Sequence, residues 1–134
     1  MKYDREELIR IAAEAGRRAY APESSFHVGA VVLASSGKIY TGCNVENVSH
    51  GISICAERVA VHSAVAAGER SFEALAVIAG DGNVDASPCG ACRQVLIEFS
   101  PGMIVIYRHE GETVEKTAAA LLPDAFSRKD GDRG

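Results

Sequence analysis

Apolar residues at Leu8, Ile11, Ala12, Ala15 and Ala19 recur at helical spacing, which predicts an amphipathic first helix. Asp4 followed by Glu7 reads as a capping box at its start, with Tyr3 and Leu8 placed to form a hydrophobic staple. The helix stops before Pro22, because the residue preceding a proline avoids helical geometry. Next, "FHVGAVVLASSGKIYTGCNVEN" carries two strand-like runs around a Ser-Ser-Gly turn, a predicted hairpin. An alanine- and valine-rich run near 54–67 predicts a helix closed by Gly68. "ALAVIAG" is continuously apolar, as in strands buried on both faces. Residues 89–99 predict another helix, "MIVIY" a second buried strand, 112–117 a weaker strand and "AALLP" a last helical turn. Strands alternating with helices after an initial hairpin imply an α/β fold, a mixed sheet of about five strands covered by helices.

Length and charge narrow the function. At 134 residues the chain is expected to form one domain over 1–134, with a polar, flexible tail at 127–134, "SRKDGDRG". Its 47% apolar and 24% charged content is that of a soluble globular protein. A formal charge of −4 disfavours a nucleic-acid polymer as partner, which normally meets a basic face, and suits a small polar ligand better. "MKYDREELIR" lacks the apolar core of a signal peptide, and no run is long enough to span a bilayer. A cytoplasmic location without membrane attachment is therefore expected. In a reducing compartment the four cysteines are thiols or metal ligands rather than disulfides.

Chemistry concentrates in two stretches, "SICAERVAVHSAV" and "SPCGACRQV". A thiol, a carboxylate and a guanidinium are costly beside an apolar helix unless something satisfies them. Cys89 and Cys92 have the C-x-x-C spacing that lets two thiolates grip one metal. At a helix start, the free backbone donors and positive dipole end favour ionised sulfur. Cys55 opens the other central helix, so two converging helix starts would set three thiolates around one ion, and zinc suits such soft tetrahedral ligands. Three protein ligands leave a fourth position for water, whose pKa zinc lowers to about 7. Cys43 offers the competing possibility, a closed four-sulfur structural site. Glu57, two residues from a ligand, would burden a closed site but could move the water's proton; alternatively it is an exposed first-turn glutamate complementing the helix dipole. Arg58, and less directly Arg93, could hydrogen-bond to sulfur and offset the thiolate charge, or be surface cations.

"CAER" with "PCGACRQV" resembles the zinc nucleoside deaminases, specifically the small cytidine deaminases with three cysteine ligands, in which a glutamate that is not a ligand handles the proton. "FHVGA", "GCNVEN" and "LLPDAF" extend the likeness from about Tyr20 to Phe126. The resemblance implies one Zn²⁺ per subunit on Cys55, Cys89 and Cys92, with Glu57 as proton shuttle. It further implies that Asn44 and Glu46 hold the ribose, that Phe26 packs on the pyrimidine, and that Ala56 belongs to the substrate site. Phe126 would reach a neighbouring subunit, giving a homotetramer with shared sites. The implied activity is hydrolytic deamination of cytidine or 2′-deoxycytidine in pyrimidine salvage.

Two positions depart from the pattern. Where similar proteins read Pro-Tyr-Ser before the pocket phenylalanine, this chain has Pro22-Glu23-Ser24, and His50 stands where a tyrosine is common. Glu23 and His50 therefore mark possible specificity changes, toward a modified cytosine nucleoside such as 5-methylcytidine or a blasticidin S-like compound. Deaminases of blasticidin S lack the Asn-x-Glu pair present here, which favours a free sugar. A non-catalytic, zinc-structured nucleoside-binding module is the alternative from a different class.

Overall fold

The computed structural model describes residues 3–128. Asp4 caps the first helix, α1 (Arg5–Gly16), through Oδ1, which accepts the Glu7 N–H at 3.2 Å. The reciprocal half of the expected box is replaced by an ion pair, because the Glu7 carboxylate turns to Arg10. The buried stripe of α1 is Leu8, Ile9, Ala12, Ala15 and Gly16. Ile9 thus takes the place expected for Ile11, which is half-buried, and Ala19 lies beyond the helix end.

The hairpin forms from β1 (Val28–Ala34) and β2 (Ile39–Cys43). A 3₁₀ turn at His50–Ile52 leads into α2 (Ala56–Ala66) and then β3 (Phe72–Ala79). The chain continues through α3 (Gly90–Phe99), β4 (Ile104–His109), β5 (Glu112–Thr117) and the single turn α4 (Ala118–Leu121). The five strands make one sheet in the order β2-β1-β3-β4-β5. Only β3 and β4 are parallel, joined through α3, and the other neighbours are antiparallel.

Alternation along the central strands divides the core in two. Val31, Ala74, Ala76 and Ile78 face α1 with Leu8, Ile9 and Ala12. Ala30, Val32, Leu75, Val77 and Val105 face the opposite way, onto Ala60, Val61 and Ala64 of α2 and Leu96 of α3. Each large aliphatic side chain buried in this way contributes about 1.5–3 kcal/mol. The arrangement brings the starts of α2 and α3 to the end of the sheet where β3 finishes and β1 begins, since Val28 pairs with Ala79. Ligand crevices of open α/β sheets lie at such carboxyl ends of strands.

Two glycines let the helices sit close to the sheet. A Cβ on Gly42 would lie 2.4 Å from the Ala60 nitrogen and 2.5 Å from the Ala56 oxygen, and one on Gly29 would lie 1.9 Å from the Ala12 oxygen. These are backbone atoms, which cannot rotate away. Gly42 therefore sets the approach of the helix that carries Glu57. Gly42→Ala is expected to cost about 2 kcal/mol, within the range for overpacking a filled core. A urea titration checks this; an unchanged midpoint would show that α2 shifts without cost.

Candidate active site

Cys55 is the N-cap of α2 and Cys89 the N-cap of α3, while Cys92 lies one turn into α3. Neither cap uses its side chain to satisfy the helix, which leaves both sulfurs free for another partner. Cys55 Sγ is 3.9 Å from Cys89 Sγ, Cys89 Sγ is 3.5 Å from Cys92 Sγ, and all three lie within 4.8 Å of one another. A tetrahedral zinc bonded to sulfur at about 2.3 Å sets its sulfurs about 3.8 Å apart, so the spacing and the donor chemistry both fit such an ion. Cys43 is outside the cluster; it ends β2 opposite Gly29, half-buried. The closed four-sulfur alternative has no support in this geometry.

The sulfurs already share charge. Cys92, and then the Arg58 guanidinium, draw the Cys55 thiol down to about 5. Cys92 is pushed the other way by the Cys55 sulfur and by burial. Arg58 Nη2 donates to Cys55 Sγ at 3.6 Å, the sulfur contact expected from its position. Arg93 differs from expectation. Its Nε donates to Pro88 O at 2.7 Å and its Nη1 to Leu121 O at 2.8 Å. Carbonyls one residue before Cys89 and at the end of α4 are the stronger acceptors available to it, so Arg93 braces the cysteine loop rather than bonding a sulfur.

Glu57 is only 5% exposed, so it is not a solvated helix-start glutamate. Burial, with charge on Cys55 adding to it, lifts its carboxyl to about 7. It lines a cavity of about 270 Å³ together with Cys55, Ala56 and Cys89 and with Phe26, Asn44 and Glu46. Asn44 and Glu46 thus share one side of their extended segment, as the alternation predicted. Asn44 Oδ1 accepts from the Val28 N–H at 2.9 Å, and its Nδ2 donates to Phe26 O at 2.7 Å, which fixes the amide beside the aromatic ring. Glu46 accepts from the backbone N–H groups of Glu23 and Ser24, at 2.9 and 3.2 Å, and from the Ser24 hydroxyl. The Ser24 hydroxyl, followed by those N–H groups, holds the Glu46 carboxyl below its ordinary range.

This places a buried proton-carrying group beside a metal-ready sulfur triad, in a cavity that Asn44 and Glu46 also line. Residues 2–108 match the family described as the cytidine and deoxycytidylate deaminase zinc-binding region. The chain belongs to that family. A cytidine deaminase from Sporosarcina psychrophila is 50% identical over 129 residues, covering 95% of this chain and 94% of the relative. A crystal structure of cytidine deaminase from Burkholderia pseudomallei superposes with a TM-score of 0.85 at 45% identity, covering 92% of this chain and all of that one. A blasticidin-S deaminase from Bacillus cereus is more distant, at 29% identity over 129 residues and 91% of each chain. The family's zinc-binding character and the triad of Cys55, Cys89 and Cys92 agree on the metal.

Sequence reasoning missed several parts of this deaminase site. Val28, Ser53, Ile54, Val77, Ala86 and Ser87 also line the cavity. None carries a distinctive spacing, and only the close pairing of β1 and β3 brings Val28 and Val77 to the same place. Phe126, the other predicted contact, is 88% exposed and lines no part of the cavity; its carbonyl accepts from Gln94 Nε2 at 2.7 Å. His27, His62 and His109 are exposed and stand apart from the triad.

Proposed function

We propose that this chain is a zinc-dependent hydrolytic deaminase converting cytidine and 2′-deoxycytidine to uridine and 2′-deoxyuridine. The observation that carries the reading is the buried Glu57, which lines one cavity with Cys55 and Cys89 of the three-sulfur cluster and with Asn44 and Glu46. Cys55, Cys89 and Cys92 would hold the zinc, which supplies Lewis acidity and brings the pKa of a water to about 7. Phe26 packs on the pyrimidine face, and the Asn44 amide and Glu46 carboxylate offer a sugar hydroxyl both donor and acceptor. Glu57 accepts a proton from the attacking water and delivers it to the ring nitrogen beside the amino-bearing carbon. A second proton passes through the same carboxyl to the leaving amine, so water and cytidine give uridine and ammonia. Arg58 offsets thiolate charge through its bond to Cys55, and Arg93 keeps the Cys89 loop in position.

The exposed Phe126 ring supports assembly into a homotetramer in which it enters a neighbour's cavity. No helix among the described residues is long and apolar enough to cross a membrane, and the reaction suits cytoplasmic pyrimidine salvage. The entire chain acts as one domain in this reading; residues 129–134 of the expected flexible tail lie outside the described residues.

The test is loss of ultraviolet absorbance with equimolar ammonia release, run over cytidine, deoxycytidine, 5-methylcytidine and blasticidin S. Cytidine and deoxycytidine are expected to turn over within about tenfold of each other in kcat/KM, a difference of one sugar hydroxyl costing no more than about 1.4 kcal/mol. Ammonia from blasticidin S alone would move the chain to the antibiotic deaminases. Ammonia from none of the four would leave a zinc-structured binding module.

A further inference from the structure

The parallel strands β3 and β4 are paired only over 74–76 and 104–106, although β3 runs on to Ala79 and β4 to His109. The chain returning from β3 toward α3 is bonded to both strand ends: Val84 bridges Ala79, and the Ala86 N–H donates to the Arg108 carbonyl at 3.2 Å. Ala86 and Ser87 then line the cavity that holds Glu57. The β4–β5 hairpin supplies further bonds to this segment. Arg108 Nε donates to Gly82 O at 2.8 Å, and its Nη1 donates to Thr113 Oγ1, on its partner residue across the hairpin. Asp85 Oδ1 accepts the Glu110 N–H at 2.8 Å, and Asp85 Oδ2 is 3.7 Å from His109 Nδ1. The wall made by Ala86 and Ser87 is therefore fastened to a hairpin that itself lines no part of the cavity.

We infer that Arg108 is a positioning residue for the reaction: it fixes segment 82–88 to the hairpin and so sets the cavity wall at Ala86 and Ser87, with Asp85 as the second anchor. The inference rests on the deaminase reading above and adds to it residues outside the cavity. Arg108 suits the task because its half-buried guanidinium holds its donors in a rigid fork, which reaches acceptors on two segments at once. The Gly82 acceptor is a backbone carbonyl, so the bond fixes the path of the main chain itself. The metal ligands are held by other means. Arg93 Nε bonds Pro88 O, the Arg93 N–H donates to Cys89 O at 3.0 Å, and Arg58 bonds Cys55. Glu57 is carried by α2. Releasing the Arg108 clamp therefore loosens the fit of the substrate and leaves the sulfurs and the proton shuttle in place. Such a loss falls equally on ground state and transition state, and it is read in KM rather than in kcat.

The experiment compares wild type, Arg108→Met, Arg108→Lys and Asp85→Ala by KM and kcat for cytidine, zinc per chain, and amide hydrogen exchange over residues 80–88. Methionine keeps an unbranched stem and removes every donor. Arg108→Met is expected to raise KM about tenfold, short of the roughly 10²-fold that a displaced reacting group can cost, with kcat within about threefold and zinc unchanged. Exchange over 80–88 should quicken while that of α2 and β3 stays as in wild type, because local opening needs no global unfolding. Arg108→Lys retains a donor for the Gly82 carbonyl and should recover most of the lost affinity. Asp85 is exposed, so Asp85→Ala folds even where Arg108→Met does not, and the loss of one hydrogen bond should raise its KM about threefold. Unchanged KM in folded, zinc-loaded Arg108→Met, or in Asp85→Ala if Arg108→Met does not fold, overturns the inference and leaves the deaminase reading standing. A fall in kcat that tracks a loss of zinc also overturns it, since that is general damage. Failure of wild type to deaminate cytidine removes the inference together with the reading beneath it.

Discussion

Glu57→Gln is expected to fold and to retain zinc while losing at least about 10²-fold in turnover of cytidine, the lower range for general acid–base catalysis. Glutamine matches glutamate in volume, which matters for a side chain 5% exposed in the first turn of α2. It cannot take a proton from water and return it to a ring nitrogen. Glu57→Ala should lose at least as much, with a small cavity added. Steady-state rates, zinc per chain and a thermal melt on the same preparations separate a chemical defect from a structural one. Near-normal turnover by folded Glu57→Gln would eliminate the proposed shuttle, whatever the metal does.

The second large effect concerns the sulfurs. Serine at Cys55, Cys89 or Cys92 is expected to weaken zinc binding by more than about 10²-fold, beyond the loss typical of a residue that only supports a ligand. Activity should fall with metal content. The two N-cap cysteines contribute no capping bond of their own, so serine at either costs its helix no cap and the loss falls on the metal. Metal binding to sulfurs that are dispersed in the unfolded chain adds directly to stability, so a chelator should lower the melting temperature of wild type and leave Cys89→Ser unmoved. Cys43→Ser is the control. Cys43 lies on β2 outside the triad, and its replacement should keep both zinc and turnover. Loss of zinc in Cys43→Ser would return the closed four-sulfur site to consideration.

Much of this site is readable along the chain because its chemistry is local. A cysteine placed where a helix begins, followed two residues later by a glutamate, needs only local geometry to put both at one helix start. Cys89 and Cys92 are similarly bound by one turn of α3. The strands were legible for the same reason: "ALAVIAG" and "MIVIY" must be buried on both faces, and they became the parallel pair β3 and β4. What spacing does not encode is adjacency between distant segments. The place of β1 between β2 and β3, and the cavity walls this creates from Val28 and Val77, follow from sheet order. Helix phase also has tolerance. Ile9 and Ile11 both lie near the apolar stripe of α1, and Ile9 is the one that is buried.

Polar partners were the least legible part. Arg93 sits beside a ligand in sequence, yet its planar donors reach two carbonyls, one of them on α4. Glu46 was expected to wait for a sugar, and it also organises the loop that carries Glu23 and Ser24. The Glu23–His50 contact joins residues 27 apart that no periodicity relates.

The most direct measurement is X-ray absorption at the zinc edge of the native protein, with zinc per chain determined on the same sample. One zinc per chain, bonded to three sulfurs at about 2.3 Å and one lighter oxygen or nitrogen neighbour, is the expected result. A fourth sulfur, or a native protein that carries no metal, contradicts an open site in which Glu57 works on water.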